Sequence, residues 1–220
     1  MANGFAQDTL PFPERFGESY FYGKRESNYS NYETMNPHRQ FKSVRSFIKG
    51  QGIKGKCLDV GCAFGSLLKR VSPHFDELHG CDISRFAIKK ATEKVPGADF
   101  RVADVGKGLP YPDGTFDCIT AMDILEHTES FERSFGNMVR KLKGGGHLIF
   151  SVPMDNPIRK LFGFLDRDKT HISILPKPEI MRIIRKHGMR VVSRRYACSF
   201  PLIHKVRFIP AEIQFVLQKV

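Results

Sequence analysis

The feature that most constrains the fold is the run Cys57-Leu58-Asp59-Val60-Gly61-Cys62-Ala63-Phe64-Gly65, followed by Ser66-Leu67-Leu68-Lys69-Arg70-Val71. A short apolar strand that stops at glycines and turns straight into a helix gathers backbone N–H groups and a positive helix end at one point, where a ligand can sit. A dinucleotide-binding turn would read G-x-G-x-x-G, with closely spaced glycines accepting a pyrophosphate. Here Gly61 and Gly65 stand four apart, and Asp59 precedes Gly61 by two. A carboxylate at that place repels phosphate and suits a cation such as an ammonium or sulfonium. The glycine spacing therefore disfavours a nicotinamide oxidoreductase, and the acid points towards S-adenosylmethionine.

The rest of the chain repeats the strand-then-helix theme. Phe41, Val44, Phe47 and Ile48 follow helical spacing up to Gly50-Gln51-Gly52. Leu78 to Ile83 reads as a second strand with Asp82 near its end, and Ser84 is placed to cap a helix running to Lys94. Ala98 to Ala103 reads as a third strand with Asp104 just beyond it, and Phe116 to Met122 as a fourth. A helix over about 130–142 is expected to stop at Gly144-Gly145-Gly146, ahead of a fifth strand from His147 to Val152. A helix from Lys177 to His187, a sixth strand from Met189 to Ala197 and a seventh from Ile213 to Gln218 complete the series. Alternating strands and helices of this kind specify an α/β, Rossmann-like doubly wound sheet. Residues 1–52 read as an N-terminal cap with helices and 53–220 as the main domain, the first 35 residues being rich in Phe, Tyr, Pro, Gly, Asn and Ser.

Composition narrows the class. The chain of 220 residues with 41% hydrophobic content suits one large α/β domain. No window approaches the roughly 18 uninterrupted apolar residues of a spanning helix, and Met1 to Asp8 carries neither a basic leader nor an apolar signal core, so a cytoplasmic protein is expected. Five cysteines, at 57, 62, 81, 118 and 198, form no C-x-x-C pair and read as reduced, mostly buried thiols. The net charge is +12, and residues 151–220 hold 14 Lys/Arg against 5 Asp/Glu. Such a surface attracts anionic partners or simply forms a solvated basic face.

Taken together, the pieces resemble the class I S-adenosylmethionine-dependent methyltransferases, from about Asn36 to Val220. Asp59 to Gly65 is similar to that family's first motif, Asp82 to the acid ending its second strand, and Ala103-Asp104-Val105 to its adenine-contacting turn. Phe116-Asp117 through Leu125-Glu126-His127 resembles the fourth strand and following loop of the ubiquinone-biosynthesis type of O-methyltransferase. The resemblance implies a seven-stranded sheet with the last strand antiparallel, S-adenosyl-L-methionine as cofactor and S-adenosyl-L-homocysteine as product. It also implies that Arg39, within Asn36-Pro37-His38-Arg39, meets the cofactor carboxylate, and it adds Tyr32 to the cofactor set. Gly61, Cys62, Ala63 and Gly65 let the backbone approach the methionine portion, and Asp59 holds its ammonium directly or through water. Asp82 accepts from the ribose hydroxyls, Ile83 covers one adenine face, Asp104 and the Val105 N–H read the base, and Ala121 and Met122 border the sulfonium. Ala63 and Phe64 depart from the family by replacing frequent glycines, which predicts a stiffer or more enclosed loop. Acids at such places also cap the following helix or turn, and that reading competes at Asp82 and Asp104.

For a hydroxyl acceptor a proton must leave, and an imidazole with a pKa near 6.5 suits that task. His171, in the irregular loop after the fifth strand, and His127, after the fourth, are the catalytic candidates, with Glu126 either orienting one of them or capping the following helix; no metal ligand is assigned. Ala121-Met122-Asp123-Ile124 stands where amino-methylating nucleic-acid enzymes carry an Asp/Asn-Pro-Pro-aromatic run, and the Pro-Cys of cytosine carbon-5 enzymes is absent. What remains is O-methylation of a small-molecule, glycan or lipid-linked acceptor, anionic if the basic C-terminal third meets it. The segment from Ile158 to Leu165, with Arg159 and Lys160, could touch an apolar acceptor or a membrane surface or pack as a plain lid. A cofactor-binding scaffold or regulator without transferase activity, and an RNA methyltransferase suggested by charge alone, are the alternatives; other nucleic-acid substrates are disfavoured.

Overall fold

The computed structural model describes residues 15–23, 31–34, 38–155, 170–197 and 212–220. Ahead of the sheet lie α1 (Glu18–Tyr22) and α2 (His38–Gln51). There follow β1 (Lys56–Val60), α3 (Ser66–Val71), β2 (Glu77–Asp82), α4 (Arg85–Lys94), β3 (Asp99–Val102), β4 (Phe116–Met122) and α5 (Phe131–Lys141). β5 (Leu142–Pro153), α6 (Lys177–Lys186), β6 (Met189–Ala197) and β7 (Glu212–Lys219) close the series. The strands form one seven-stranded sheet in the order β3-β2-β1-β4-β5-β7-β6. Neighbours from β3 across to β5 run parallel, and β7 runs antiparallel to both β5 and β6. This is the mixed, doubly wound sheet that the alternation of elements and the resemblance imply.

The period-two alternation of strand side chains divides the core into two layers. Leu58 and Val60 of β1, Ile119 of β4, Phe150 of β5 and Phe215 of β7 face the layer covered by Phe135 and Met138 of α5 and Ile180, Ile183 and Ile184 of α6. Cys57, Cys118, Ile149 and Val216, the intervening residues, face Val44 and Ile48 of α2, Leu67 and Leu68 of α3 and Ala91 of α4. The cysteines at 57, 62, 81 and 118 are buried free thiols. Cys198 and the segments Ile158–Leu165 and Asp166–Lys169 lie outside the described residues. Arg190, Arg194 and Arg195 are exposed on β6, at one edge of the sheet. Charges on an edge strand hinder edge-to-edge pairing, which gives part of the basic excess a structural use.

One boundary differs from the sequence reading. The helix α5 stops at Lys141, and β5 starts at once at Leu142, so the glycines 144–146 lie inside the strand and not before it. The pairing explains the shift: Phe116 faces Leu142 whereas Cys118 faces His147, so β5 carries extra residues opposite β4. Gly145 has φ +76°, and a Cβ on Gly146 would stand 3.1 Å from the Phe116 carbonyl oxygen, so this bulge requires glycine. The expectation at Ser84 matches the structure, for its hydroxyl oxygen accepts from the Ala87 N–H at 3.1 Å and caps α4. Replacing Ser84 by Ala removes that acceptor and is expected to cost about 1 kcal/mol in urea unfolding with an unchanged m-value; no loss of stability would show that the cap contributes nothing.

Candidate functional site

In an open parallel sheet the crevice for a ligand lies beyond the carboxyl ends of the strands, where the connections diverge to either side. Here β1 sits between β2 and β4, and a pocket opens past the ends of β1, β2, β3 and β4. The turn after β1 is tied to β2 by hydrogen bonds from the Gly61 and Cys62 N–H groups to the Cys81 carbonyl, at 2.7 and 3.0 Å. Gly61 has φ +69°, and a Cβ there would lie 1.9 Å from Ile124 Cδ1, so a side chain at this position would strain the turn and push Ile124 from its place in the lining.

Two acids are held out of water at this place. Asp59 is 3% exposed, and Thr120, its register neighbour on β4, donates its hydroxyl to Asp59 Oδ1 at 2.6 Å. Burial pushes the Asp59 carboxyl up to about 7, against the Thr120 hydrogen bond and with help from the nearby Asp82. Asp82 is 9% exposed and accepts the Ala63 N–H at Oδ2 and the Ser84 N–H at Oδ1, both at 2.9 Å. Burial raises it to about 6 in spite of those backbone donors. A carboxylate oxygen has more than one lone-pair site, so both oxygens of Asp82 can still accept from a ligand.

The expected cofactor residues divide into two sets. Tyr32, Gly61, Ala63, Asp82, Ile83, Ala103, Asp104, Val105 and Met122 line the pocket, as does His127. Asp59, Cys62, Gly65 and Ala121 lie behind this lining. Gly65, with φ +71°, is the N-cap of α3 and packs on Val95, Phe100 and Ala91. The side chain of Arg39 lies outside the described residues. Asp104 accepts the Gly106 N–H at Oδ1 at 2.8 Å, a local turn contact that takes one of its oxygens. The Val105 carbonyl takes a hydrogen bond of 2.6 Å from the Asn137 side-chain amide, which fixes the turn.

Several lining residues escaped the sequence reading. Phe16, Tyr20 and Phe21 form a wall from the N-terminal segment, and Val60, Asp123, Ile124 and Thr128 complete the lining. Phe64, one of the departures from the family's glycines, is 1% exposed, and its ring meets those of Phe21, Tyr32, Tyr22 and Phe86 at centroid distances of 4.8 to 6.1 Å. The side chain that replaces a glycine thus anchors the aromatic wall, in keeping with an enclosed loop. Ala63 and Asp123 both have positive φ, 45° and 54°, and both line the pocket. Backbone strain of that kind costs on the order of 1–3 kcal/mol and gathers at functional sites. At Asp123 it is held by Ser151, whose hydroxyl donates to Asp123 Oδ1 at 2.7 Å.

On the far side of the pocket, His127 ends a short turn, Leu125–His127, and its ring lies 4.8 Å from that of His171. Glu126 is 1% exposed, and its backbone carbonyl accepts the N–H groups of Ile172 and Ser173, both at 2.9 Å. Those two bonds dock the His171 segment against the turn. His127 Nδ1 lies 2.8 Å from the Thr170 hydroxyl and 3.3 Å from the Thr170 carbonyl oxygen. This pairing holds the ring through Nδ1.

The donor set fits a cationic nucleoside: two buried acids that resist ionisation gain from a nearby positive charge and from hydroxyl donors, with aromatic and aliphatic walls for an apolar base. Comparison with known proteins agrees. Residues 58–150 match the family model described as a methyltransferase domain. Over 197 residues the chain is 30% identical to demethylmenaquinone methyltransferase of Symbiobacterium thermophilum, covering 80% of this chain and 74% of that protein. It is also 30% identical over 131 residues to the ubiquinone biosynthesis O-methyltransferase of Alkalilimnicola ehrlichii, covering 57% of this chain and 53% of the relative, so it spans about half the length of that protein. The crystal structure of the N-methyltransferase NodS from Bradyrhizobium japonicum, in complex with S-adenosyl-L-homocysteine, superposes with a TM-score of 0.63 at 19% identity, covering 84% of this chain and 89% of that one.

The burial of Asp59 carries a sign that can be checked without ligand. Its folded pKa lies above the unfolded value, so between about pH 4 and 7 the folded chain binds more protons than the unfolded one, and stability falls as pH rises through that window. Relative to Asp59→Asn, the wild-type protein is expected to lose on the order of 1 kcal/mol per pH unit between pH 5 and 7 in urea unfolding. Parallel curves for the two proteins would contradict the raised pKa.

Proposed function

The chain belongs to the class I S-adenosylmethionine-dependent methyltransferases, and on that premise we propose that it is a cytoplasmic enzyme that methylates a hydroxyl of a small-molecule, glycan or lipid-linked acceptor. The observation that carries the reading is the pair of buried acids at adjacent strand tips, Asp82 in the pocket lining and Asp59 behind it. When bound, S-adenosylmethionine supplies a methyl group already activated by its positive sulfur. The chain's own residues then need only bind, orient and exclude water.

Asp59 stabilises the ammonium of the methionine portion, and Asp82 accepts from the ribose. Ile83 and Val105 enclose the base beside Asp104. Met122 borders the reacting end, close in sequence to the strained Asp123. Residues 1–52 act as a cap on the domain 53–220, with Phe16, Tyr20 and Phe21 keeping solvent from the site. His127 and His171 serve the acceptor's hydroxyl: their rings lie together, His127 lines the pocket, and the buried Glu126 offers a carboxylate oxygen within 4.8 Å of a ring nitrogen of each. An oxygen acceptor is favoured over an exocyclic amine of nucleic acid by the Ala121-Met122-Asp123-Ile124 run, which lacks the Asp/Asn-Pro-Pro-aromatic arrangement. Among the described residues no helix is long and apolar enough to cross a membrane, so a lipid-linked acceptor would be met from the surface.

A thermal-shift measurement followed by a labelled-methyl assay against cell extract tests this reading. S-adenosyl-L-homocysteine at 100 times its dissociation constant is expected to stabilise the protein by about 2.7 kcal/mol, with no effect of NAD. His171→Ala is expected to leave that stabilisation intact and to lower methyl incorporation at least about tenfold. No stabilisation by S-adenosyl-L-homocysteine would refute the cofactor assignment. Stabilisation without methyl transfer to any acceptor would point to a cofactor-binding regulator.

A further inference from the structure

From the geometry of Glu126, His127 and His171 we infer a binding site for one divalent transition-metal ion of the zinc type, beside the methyl-transfer pocket; the inference rests on the proposed methyltransferase reading for its use, though not for its existence. Each of the three residues offers one ligand atom, and these atoms lie within 4.8 Å of one another. Ligands 2.0–2.1 Å from a tetrahedral zinc ion stand about 3.3 Å apart, so side-chain adjustments of about 1 Å close the set. Two imidazoles and one carboxylate are ligands suited to zinc, iron or cobalt, and less to magnesium or calcium, which prefer oxygen.

Contacts around the three residues hold them in place. The Glu126 carbonyl holds the Ile172 and Ser173 N–H groups, so the segment that carries His171 is fixed to the turn that carries the other two ligands. Thr170 engages His127 Nδ1, the contact to a second ring nitrogen that orients a metal-binding imidazole. Glu126 is 1% exposed, so its carboxyl group is presented from the protein interior. His127 also lines the methyl-transfer pocket, and an ion held by three protein ligands keeps a position for water or substrate. An ion there lowers the pKa of a hydroxyl that it binds, the proton passing to water. The two histidines then act by holding the ion, and neither needs to take the proton itself. Sequence alone does not disclose the set, because His171 stands 44 residues beyond His127 and joins it only through the fold.

The test uses the untagged, chelator-treated full chain and Co²⁺ as probe, followed by its visible ligand-field band and by calorimetry. One Co²⁺ per chain is expected, with displacement by Zn²⁺. Glu126→Gln and His171→Ala are each expected to weaken Co²⁺ binding at least tenfold. His79→Ala, which removes a histidine flanked by Glu77 and Asp99 elsewhere in the fold, is expected to leave it unchanged. His171→Ala is the variant that decides if Glu126→Gln fails to fold, since His171 is only partly buried. No saturable binding, or binding that both variants retain in full, overturns the proposal. Calorimetry with S-adenosyl-L-homocysteine on the same samples separates the two readings. Nucleoside binding without Co²⁺ binding removes the metal alone, and Co²⁺ binding without nucleoside binding supports the metal site while removing the methyltransferase reading.

Discussion

The organisation of this protein rests on keeping carboxylates out of water at the tips of neighbouring parallel strands. In β1 Asp59 is flanked by Gly80 of β2 on one side and Thr120 of β4 on the other, through the sheet's own register. Thr120 gives it one hydrogen bond, and Gly80 leaves space that Phe100 and the Cys62 sulfur border. Burial of an acid with so few donors is unfavourable in the free protein. A positively charged ligand would relieve that state, so under the proposed function the same feature that lowers stability would create affinity. Asp82 shares the design but is held by two backbone N–H groups, which makes it the better fixed of the two and suits it to orienting hydroxyls.

Around that pair, the loop after β1 does more than turn the chain. Ala63 accepts a left-handed backbone that glycine would adopt without strain, and its N–H in return orients Asp82. Phe64, next in line, supplies the ring against which Phe21, Tyr22 and Tyr32 pack. Two positions that a flexible glycine loop would leave bare here join the strand tip to the N-terminal wall. The pocket is therefore enclosed by the chain's own aromatic segment.

Much of the frame was legible in the sequence because local signals agree with the fold: apolar runs of strand length, Ser84 as a cap, and acids just past strand ends. The bulge at glycines 144–146 was misread because a glycine run looks the same as a helix stop and as an irregular strand, and only the pairing of β4 with β5 distinguishes them. The wall of Phe16, Tyr20 and Phe21 was not legible, for aromatic residues in a turn-rich segment carry no periodicity that says which surface they cover. His127 and His171 could be named singly as reactive side chains. Their proximity, and the buried Glu126 beside them, depend on hydrogen bonds from residues 172 and 173 to the turn after β4. Such long-range contacts have no spacing signature.

The most direct test of the central claim is to count protons. Asp59, with a pKa raised to about 7 in the free protein, must ionise to serve a cation. Titrating S-adenosyl-L-homocysteine into the protein in buffers of different ionisation enthalpy gives the number of protons released. Between about one and one and a half are expected at pH 6, from Asp59 with a share from Asp82, and almost none at pH 8, with the release at pH 6 falling by about one in Asp59→Asn. Binding with no proton release at pH 6 would contradict the account.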